Sequence, residues 1–285
     1  MTSAPRTSSF TVGGHRLVYD EYGEGNRVVI YMHALLIDSE LNRGIAQALA
    51  ARGNRVILLD LLGHGRSDKP EHASVYRIDT YADQVFALAD ELRIERPVLG
   101  GMSLGANVSL FAASRRPDRV RGLILEMPVL EWAVPPSALL FASLLLLLHY
   151  GRTPARWLTS LVRSIPSTPS ASVNGLLHGA GLPPEVMAAI LHGVLVGPVA
   201  PTYEERAAID VPALVLAHRK DLIHPFDDAV KLAGDLPRAQ LVRARSPIEL
   251  RMRPDRLTDV IATFVEELWK PSGHIEPDAV NQAGG

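Results

Sequence analysis

Strand and helix signals alternate along most of the chain, and this alternation limits the possible folds more than any other sequence feature. Continuous apolar runs predict strands at residues 28–32, 56–60, 97–103, 122–128, 212–218 and 240–245. Helical spacing predicts helices at residues 39–52, 81–92 (with Thr80 as N-cap), 104–116, 226–235 and 256–269. Apolar strands separated by helices indicate a parallel sheet covered on both faces, so the sequence predicts a doubly wound α/β fold.

The alternation stops between residues 129 and 205, where Leu-rich and Ala-rich helical stretches are broken by Pro, Gly and Ser. Helices inserted between two strands of such a sheet predict a lid. The predicted organisation is therefore a core with an N-terminal part, an inserted helical lid, a C-terminal part of the same core and a polar tail, at residues 1–128, 129–205, 206–270 and 271–285.

Composition excludes several classes of function. The net charge is −2, which gives no sign of a nucleic-acid partner, and the absence of cysteine excludes disulfides and thiolate metal sites. The longest apolar run, residues 137–150, is short of the roughly 20 residues that a membrane span needs. No secretory signal is visible at the N-terminus. We expect a cytoplasmic protein with no membrane span, no metal and no cofactor, because no nucleotide fingerprint or metal-ligand spacing occurs.

The strongest single motif is Gly-Met-Ser-Leu-Gly at residues 101–105, between a predicted strand and a predicted helix. A serine at such a turn is exposed by the sharp change of direction, and small neighbours let the strand and helix backbones approach. The N-terminus of the helix then directs N–H groups towards a developing negative charge. This context predicts a nucleophile elbow, with Ser103 as nucleophile.

Other motifs occur in a fixed order around this elbow. His33 ends an early strand, residues 60–68 read DLLGHGRSD, and residues 218–225 read HRKDLIHP after a late strand. Together with the elbow, this series resembles the α/β-hydrolase superfamily over about residues 10–270. The resemblance implies an α/β-hydrolase sheet with an inserted helical lid.

The resemblance also implies roles for particular residues. Ser103 would be the nucleophile and Asp221 the acid of a catalytic triad, with Glu126 as an alternative acid. His64 is expected to be a turn residue. The oxyanion would be held by the backbone N–H of Leu104 and by that of Ala34 or Leu35. The predicted oxyanion and binding residues are Leu104, Ala34, Leu35, His33 and Met102.

The general base is missing from its expected place. In this family a histidine follows the last strand and precedes the final helix, and aligning the helix start at residues 254–256 puts Pro247 at that position. Proline has no group that accepts a proton from serine. No histidine lies between His224 and His274, so a short gap in the alignment does not supply one.

Three alternatives follow. A displaced histidine acts as base, with His224 the first choice, His33 also near the oxyanion loop, and His274 less favourably placed. Otherwise the protein uses the pocket without a triad, for binding or for a non-hydrolytic step. In the third alternative Glu249 is a catalytic carboxylate, unless it forms a salt bridge with Arg251 or Arg253.

The lid is more apolar than a solvated helix pair requires, with the run of leucines at residues 144–148 as its extreme. A helix that is apolar all round is buried or covers a partner. We expect a pocket for an apolar small molecule, or a homodimer formed through the lid. The predicted function is hydrolysis of an ester, thioester or lactone of an apolar small molecule. The alternative is a non-hydrolytic or catalytically silent member with a lyase, cyclisation or ligand-binding role.

Overall fold

A twisted sheet of eight strands forms the centre of the molecule in the computed structural model, which describes residues 4–219, 221 and 223–270. The strands lie in the order β1-β2-β4-β3-β5-β6-β7-β8. Strand β2 is antiparallel to β1 and β4, whereas β3 to β8 are all parallel to one another. Their bounds are β1 Arg6–Val12, β2 His15–Tyr22, β3 Val28–Met32, β4 Arg55–Asp60, β5 Val98–Met102, β6 Gly122–Glu126, β7 Ala213–Ala217 and β8 Ala239–Arg243. The predicted, mostly parallel sheet is confirmed.

Helices cover both faces of this sheet, as the sequence predicts. Their bounds are α1 Arg43–Ala50, α2 Ile78–Glu91, α3 Leu104–Arg115, α4 Val134–Tyr150, α5 Arg152–Arg163, α6 Ala171–Ala180, α7 Pro184–Val196, α8 Tyr203–Ala207, α9 Phe226–Asp235, α10 Glu249–Met252 and α11 Asp255–Glu267. The tail, residues 271–285, and the candidate base His274 lie outside the described residues.

Strand β3 shows how one short apolar run supplies two cores. Ile30 belongs to a cluster that includes Val85 of α2, whereas its neighbour Tyr31 belongs to a second cluster with Ile45 of α1 and Ile261 of α11. Successive residues of a strand project to opposite faces of the sheet. A strand covered on both faces therefore has to be apolar throughout, and all five residues of β3 are buried.

The parallel strands place their following loops at one edge of the sheet. Residue 33 follows β3, residue 61 follows β4, Ser103 follows β5, Met127 follows β6 and His218 follows β7. Ligands of open α/β sheets bind at this carboxyl edge. The fold therefore brings together loops that lie far apart in the sequence.

Helices α4 to α8 lie between β6 and β7 and form layers over this edge. Helix α7 is the inner layer, because Ile190 and Leu191 are fully buried. It also approaches the core closely, since a Cβ on Gly193 would lie 2.3 Å from the backbone oxygen of Ala73. Helix α5 is the outer layer, and Thr159 is its buried residue. Within the described residues no single helix is long and apolar enough to cross a bilayer, although two bent helix pairs together have the length and composition.

Two local predictions were wrong. The helix expected at residues 39–52 is divided into a 3₁₀ helix, Ser39–Asn42, and α1. The N–H of Ser39 donates to the Asp60 carboxylate (3.0 Å), and the Asp38 carboxylate caps the 3₁₀ helix by accepting from the N–H of Glu40. The break falls at Asn42, whose φ of −97° and ψ of 4° are not those of an α-helix. Thr80 does not cap α2: the helix begins two residues earlier, and the Thr80 hydroxyl donates to a backbone oxygen within the first turn.

Candidate active site

Ser103 occupies a strained backbone position between β5 and α3. Its φ is 53° and its ψ is −108°, a region that residues with a side chain seldom adopt. A Cβ on Gly101 would lie 2.6 Å from the carbonyl carbon of Gly105, and one on Gly105 would lie 2.6 Å from the backbone oxygen of Met32. Only glycine fits at either position, so the turn has the close packing that a nucleophile elbow requires.

The Ser103 hydroxyl contacts a histidine that comes from the loop after β7. Its Oγ lies 2.9 Å from Nε2 of His224, and Nδ1 of His224 lies 2.8 Å from Oδ2 of Asp221. In the neutral tautomer that these distances favour, Nδ1–H donates to the carboxylate and Nε2 accepts from the serine hydroxyl. The structure therefore brings together Ser103, His224 and Asp221, three residues singled out in the sequence, in the serine–histidine–acid order of a catalytic triad.

A tight turn allows an acid and a histidine only three residues apart to align. Oδ1 of Asp221 accepts hydrogen bonds from the backbone N–H of Ile223 (2.8 Å) and of His224 (3.2 Å). This closes the chain back on the aspartate, while Pro225 leads directly into α9. Oδ2 remains directed at the imidazole. The local turn thus provides the geometry that the usual arrangement obtains from two separate loops.

The charge of Asp221 is stabilised by this arrangement. Burial by itself raises the pKa of Asp221, but the hydrogen bond and charge of His224, with the two backbone donors, outweigh burial and lower that pKa to about 2. A second histidine, the buried His218, places its Nε2 3.3 Å from the same Oδ2. Asp221 is therefore an anion throughout the neutral pH range, as the orienting acid of a triad must be.

His33 is held in the backbone rather than in the site. Its Nε2 accepts from the N–H of Leu61 (3.1 Å), so Nδ1 carries the proton and donates to the backbone oxygen of Ala34 (2.8 Å). Burial lowers the pKa of His33, which favours this neutral form. Both nitrogens are engaged, so the alternative of His33 as displaced base is wrong. His33 fixes the start of the loop after β3 instead.

His64 supports the same loop from the neighbouring turn. Its Nε2 accepts from the N–H of Leu36 (3.2 Å), and its Nδ1 donates to the backbone oxygen of Leu62 (3.1 Å). Burial and the nearby His33 lower its pKa well below the ordinary value, so it stays neutral. Leu36 itself has a φ of 56°, another strained position. These contacts leave the preceding residue, Leu35, facing the cavity beside Ser103.

A cavity of about 100 Å³ lies against Ser103 and is lined mainly by apolar side chains. Among the described residues that line it, none is charged. Of the residues predicted for binding, Leu35 and Leu104 line this cavity, whereas Ala34, His33 and Met102 do not. The lining residues are Leu35, Ile78, Ser103, Leu104, Asn107, Val129, Val134, Ser137, Ala138, Phe141, Val194, Leu195, Val199 and Ile223.

Polar side chains at this cavity were not identified from the sequence. Asn107 is fully engaged, because its amide bonds the backbone of Val129 and of Val199 and thereby joins α3 to the segments that precede α4 and follow α7. The Ser137 hydroxyl of α4 is buried with no hydrogen-bond partner among the described residues. The sequence does not single out Ser137, because α4 also contains Ser143.

The segment after β8 is occupied by ion pairs. Pro247 is exposed, and the Glu249 carboxylate accepts from Arg256 (2.9 Å) and from the N–H of Arg245. The salt bridge of Glu249 was expected to involve Arg251 or Arg253, and this prediction was wrong. Glu249 pairs with Arg256, and Arg251 pairs with Glu126. The carboxylate of Glu249 is engaged in these contacts, and Glu249 does not line the cavity beside Ser103.

Arg251 instead binds Glu126, the alternative acid. Its guanidinium contacts one carboxylate oxygen of Glu126 and donates to Oδ1 of Asn42 (2.8 Å), and the Tyr31 hydroxyl donates to the other Glu126 oxygen (2.8 Å). Both members of the pair are buried. Glu126 is thus engaged below the sheet edge, while its backbone oxygen accepts from the N–H of Ser103 (2.8 Å).

A strained serine at a β–α turn, held against a histidine and an aspartate at the carboxyl edge of a parallel sheet, is the arrangement of the α/β hydrolases. The chain belongs to the alpha/beta hydrolase fold family, whose model matches residues 27–246.

Hydrolases are among the known proteins to which this chain is similar. The AB hydrolase superfamily protein YisY of Bacillus subtilis (strain 168) is 28% identical over 240 residues, which cover 79% of this chain and 85% of that protein. The 2-hydroxymuconate semialdehyde hydrolase of Pseudomonas sp. (strain CF600) is 33% identical over 127 residues, 41% of each chain. The enol-lactonase from Burkholderia xenovorans LB400 superimposes with a TM-score of 0.73 and 22% identity, covering 91% of this chain and all of that one. This last likeness shows a shared fold.

Proposed function

We propose that this protein hydrolyses an ester, thioester or lactone of an apolar small molecule, with Ser103 as nucleophile. The observation that carries the proposal is the 2.9 Å contact between the Ser103 hydroxyl and Nε2 of His224, together with the 2.8 Å contact from His224 to Asp221. A serine hydroxyl needs such a partner to become a nucleophile. The names of the relatives, a hydrolase and a lactonase among them, agree with this class of reaction.

In the proposed mechanism, the Ser103 oxygen attacks the carbonyl carbon while Nε2 of His224 takes the hydroxyl proton. Asp221 stabilises the imidazolium that forms. The negative carbonyl oxygen accepts hydrogen bonds from the N–H of Leu104, at the start of α3, and from that of Leu35. Collapse of the intermediate expels the alcohol or thiol, which receives the proton from His224. Water then attacks the acyl-serine by the same route and releases the acid.

The cavity supports an apolar acyl group. Its walls come from the core and from the lid, for example Ile78 on α2 and Phe141 on α4, and no described lining residue carries a charge. A charged acyl group would lose its hydration there without a compensating partner. We therefore assign the acyl side of the substrate to this cavity.

Labelling and turnover together test the proposal. A fluorophosphonate probe is expected to modify the wild-type protein at Ser103, as shown by mass spectrometry of the labelled peptide, and to leave Ser103→Ala unmodified. Nitrophenyl esters from acetyl to octanoyl are expected to be hydrolysed by the wild-type protein only. If Ser103 is not labelled and no ester is cleaved, the non-hydrolytic or silent alternative replaces this proposal.

A further inference from the structure

Helix α5 exposes its largest apolar side chains and packs inward through the smaller Ala155, Thr159 and Val162. Its apolar stripe, Pro154, Trp157, Leu158 and Leu161, recurs at helical spacing and faces outward, with Trp157 70% exposed, whereas Thr159 is the buried residue. A surface helix of a globular protein normally turns its apolar stripe to the core. The stripe of α5 is therefore available to something outside the chain.

Helix α4 presents a second stripe of the same kind. Leu139, Leu140, Leu146, Leu147 and Tyr150 share one face of the helix and are exposed, Tyr150 to 83%. The opposite face of α4 packs inward and lines the cavity. The two helices meet at a bend of 103°. We name the two exposed stripes together the lid face.

Helices α4 to α6 carry basic side chains and no acidic ones. No aspartate or glutamate occurs from residue 132 to residue 184, while α5 carries Arg152, Arg156 and Arg163. Arg156 is paired with Glu185 at 2.7 Å, beyond that interval. Exposed leucines beside arginines, with a tryptophan and a tyrosine, form the pattern of a helix that lies in the interface of an anionic membrane.

We propose that the lid face binds the surface of an anionic phospholipid bilayer. Helices α4 and α5 have 17 and 12 residues and are sharply bent, so each lies in the plane of the interface instead of crossing it. The leucines and Trp157 enter the region between headgroups and acyl chains, and Arg152 contacts lipid phosphates. Arg156 and Arg163 add positive charge nearby, although Arg156 pairs with Glu185 and Arg163 donates to the backbone oxygen of Gly181. A second copy of the chain is a poorer occupant, because two-fold symmetry would bring together helices α4 to α6 of both copies, which carry basic side chains and no acidic ones.

Flotation with lipid vesicles tests this proposal on the full chain. The wild-type protein is expected to float with vesicles of phosphatidylcholine and phosphatidylglycerol, and to bind pure phosphatidylcholine much more weakly. The double variant Trp157→Ser with Leu161→Ser is expected to bind the anionic vesicles at least about tenfold more weakly than the wild type. The reason is that two apolar side chains that would enter the bilayer are replaced by polar ones. The control is Ile248→Ser with Met252→Ser, which changes two exposed apolar residues outside the lid and is expected to bind like the wild type.

Several results would overturn the proposal. The first is that the wild-type protein fails to float with the anionic vesicles. The second is that the variant with Trp157→Ser and Leu161→Ser binds the vesicles as well as the control variant does. Sedimentation analysis provides the third: a wild-type dimer that the same double variant abolishes would assign the lid face to a second copy. The Ser103→Ala variant is expected to float like the wild type, so the failure of membrane binding and the failure of the proposed hydrolase activity are separable. Circular dichroism confirms that each variant is folded.

Discussion

One segment follows β7 and another follows β8, the last two strands of the sheet. The family resemblance places the general base in the segment after β8, but the candidate base lies in the loop after β7. The loop after β7 holds both the acid, Asp221, and the candidate base, His224, within a single turn. The segment after β8, where the base is expected, has an exposed proline at residue 247 and two ion pairs. A base is therefore defined by where its nitrogen lies relative to the serine oxygen and not by its place in the chain.

The difference between the segments has a physical basis at the sheet edge. Both follow parallel strands and emerge beside one another, because β7 and β8 are neighbours. The first loop is closed by the hydrogen bonds to Oδ1 of Asp221 and is directed at Ser103. The second is tied to the core by Arg251 and Glu249. With the candidate base in the first loop, the second segment is left to make structural contacts.

Replacing His224 is expected to have the largest effect. Without the imidazole, the Ser103 proton has no acceptor, and kcat for ester hydrolysis should fall by about 10³-fold to 10⁶-fold. Steady-state kinetics of His224→Ala measure this effect. The matched control is His192→Ala, an exposed histidine on α7, which should keep wild-type kinetics. Full activity of His224→Ala would exclude the assignment of the base to the loop after β7.

Asp221→Asn tests the acid within the same turn. The amide removes the charge that stabilises the imidazolium and the acceptor that fixes the tautomer of His224, so kcat should fall by about 10³-fold to 10⁴-fold. The backbone hydrogen bonds of the turn can persist with an amide oxygen, which keeps the fold intact. A loss smaller than about tenfold would show that another carboxylate orients the histidine.

The pKa of Asp221 adds a stability test with a defined sign. The pKa is about 2 in the folded chain and lies below its ordinary value of 3.8, so ionised Asp221 stabilises the folded state. This stabilisation is fully present above pH 4 and is lost as the pH falls through about 2. Urea unfolding at a series of pH values should show the advantage of the wild type over Asp221→Asn shrinking in that acidic window. A constant difference would contradict the stated cause.

Arg251 should matter for stability in the other segment. Arg251→Met leaves Glu126 as a buried carboxylate without its cation, and breaking a buried pair in this way costs about 3–5 kcal/mol. Chemical denaturation measures the free energy of unfolding, with the exposed Arg253→Met as the control. Adding Glu126→Leu to Arg251→Met should recover most of the loss. Equal stability of Arg251→Met and the control would mean that the pair contributes nothing.

The parts of this site that sequence reasoning reaches are those with local signals. The elbow around Ser103 has its glycines, strand and helix within residues 98–115, and His224 can be named because it stands three residues from Asp221. The hairpin of β1 and β2 also has a local signal, the pair Gly13-Gly14 in its turn, but it was not predicted. Both glycines have positive φ there. Local chemistry is readable because the turn itself creates the contact.

Long-range contacts are the parts that could not be read. Arg251 and Glu126 lie 125 residues apart, and nothing near either residue indicates the other. The same holds for His64, whose ring supports the loop after β3 from 28 residues away. Such pairs depend on the order of strands in the sheet, which determines the loops that meet. A parallel sheet is predictable from apolar runs, whereas its strand order is not.

The sharpest test of the contrast between the two segments is an attempt to reverse it. Pro247→His in the His224→Ala background restores a histidine at the position that the family resemblance predicts. Residue 247 is exposed, and the neighbouring Glu249 anchors the segment through Arg256 and the N–H of Arg245. An imidazole there should not come within about 3 Å of the Ser103 oxygen, and general-base catalysis needs that distance. We expect kcat to rise less than about twofold over His224→Ala, measured with the same nitrophenyl ester. A recovery of tenfold or more would show that the segment after β8 retains the geometry for a base, and that only its proline prevents it from serving as one.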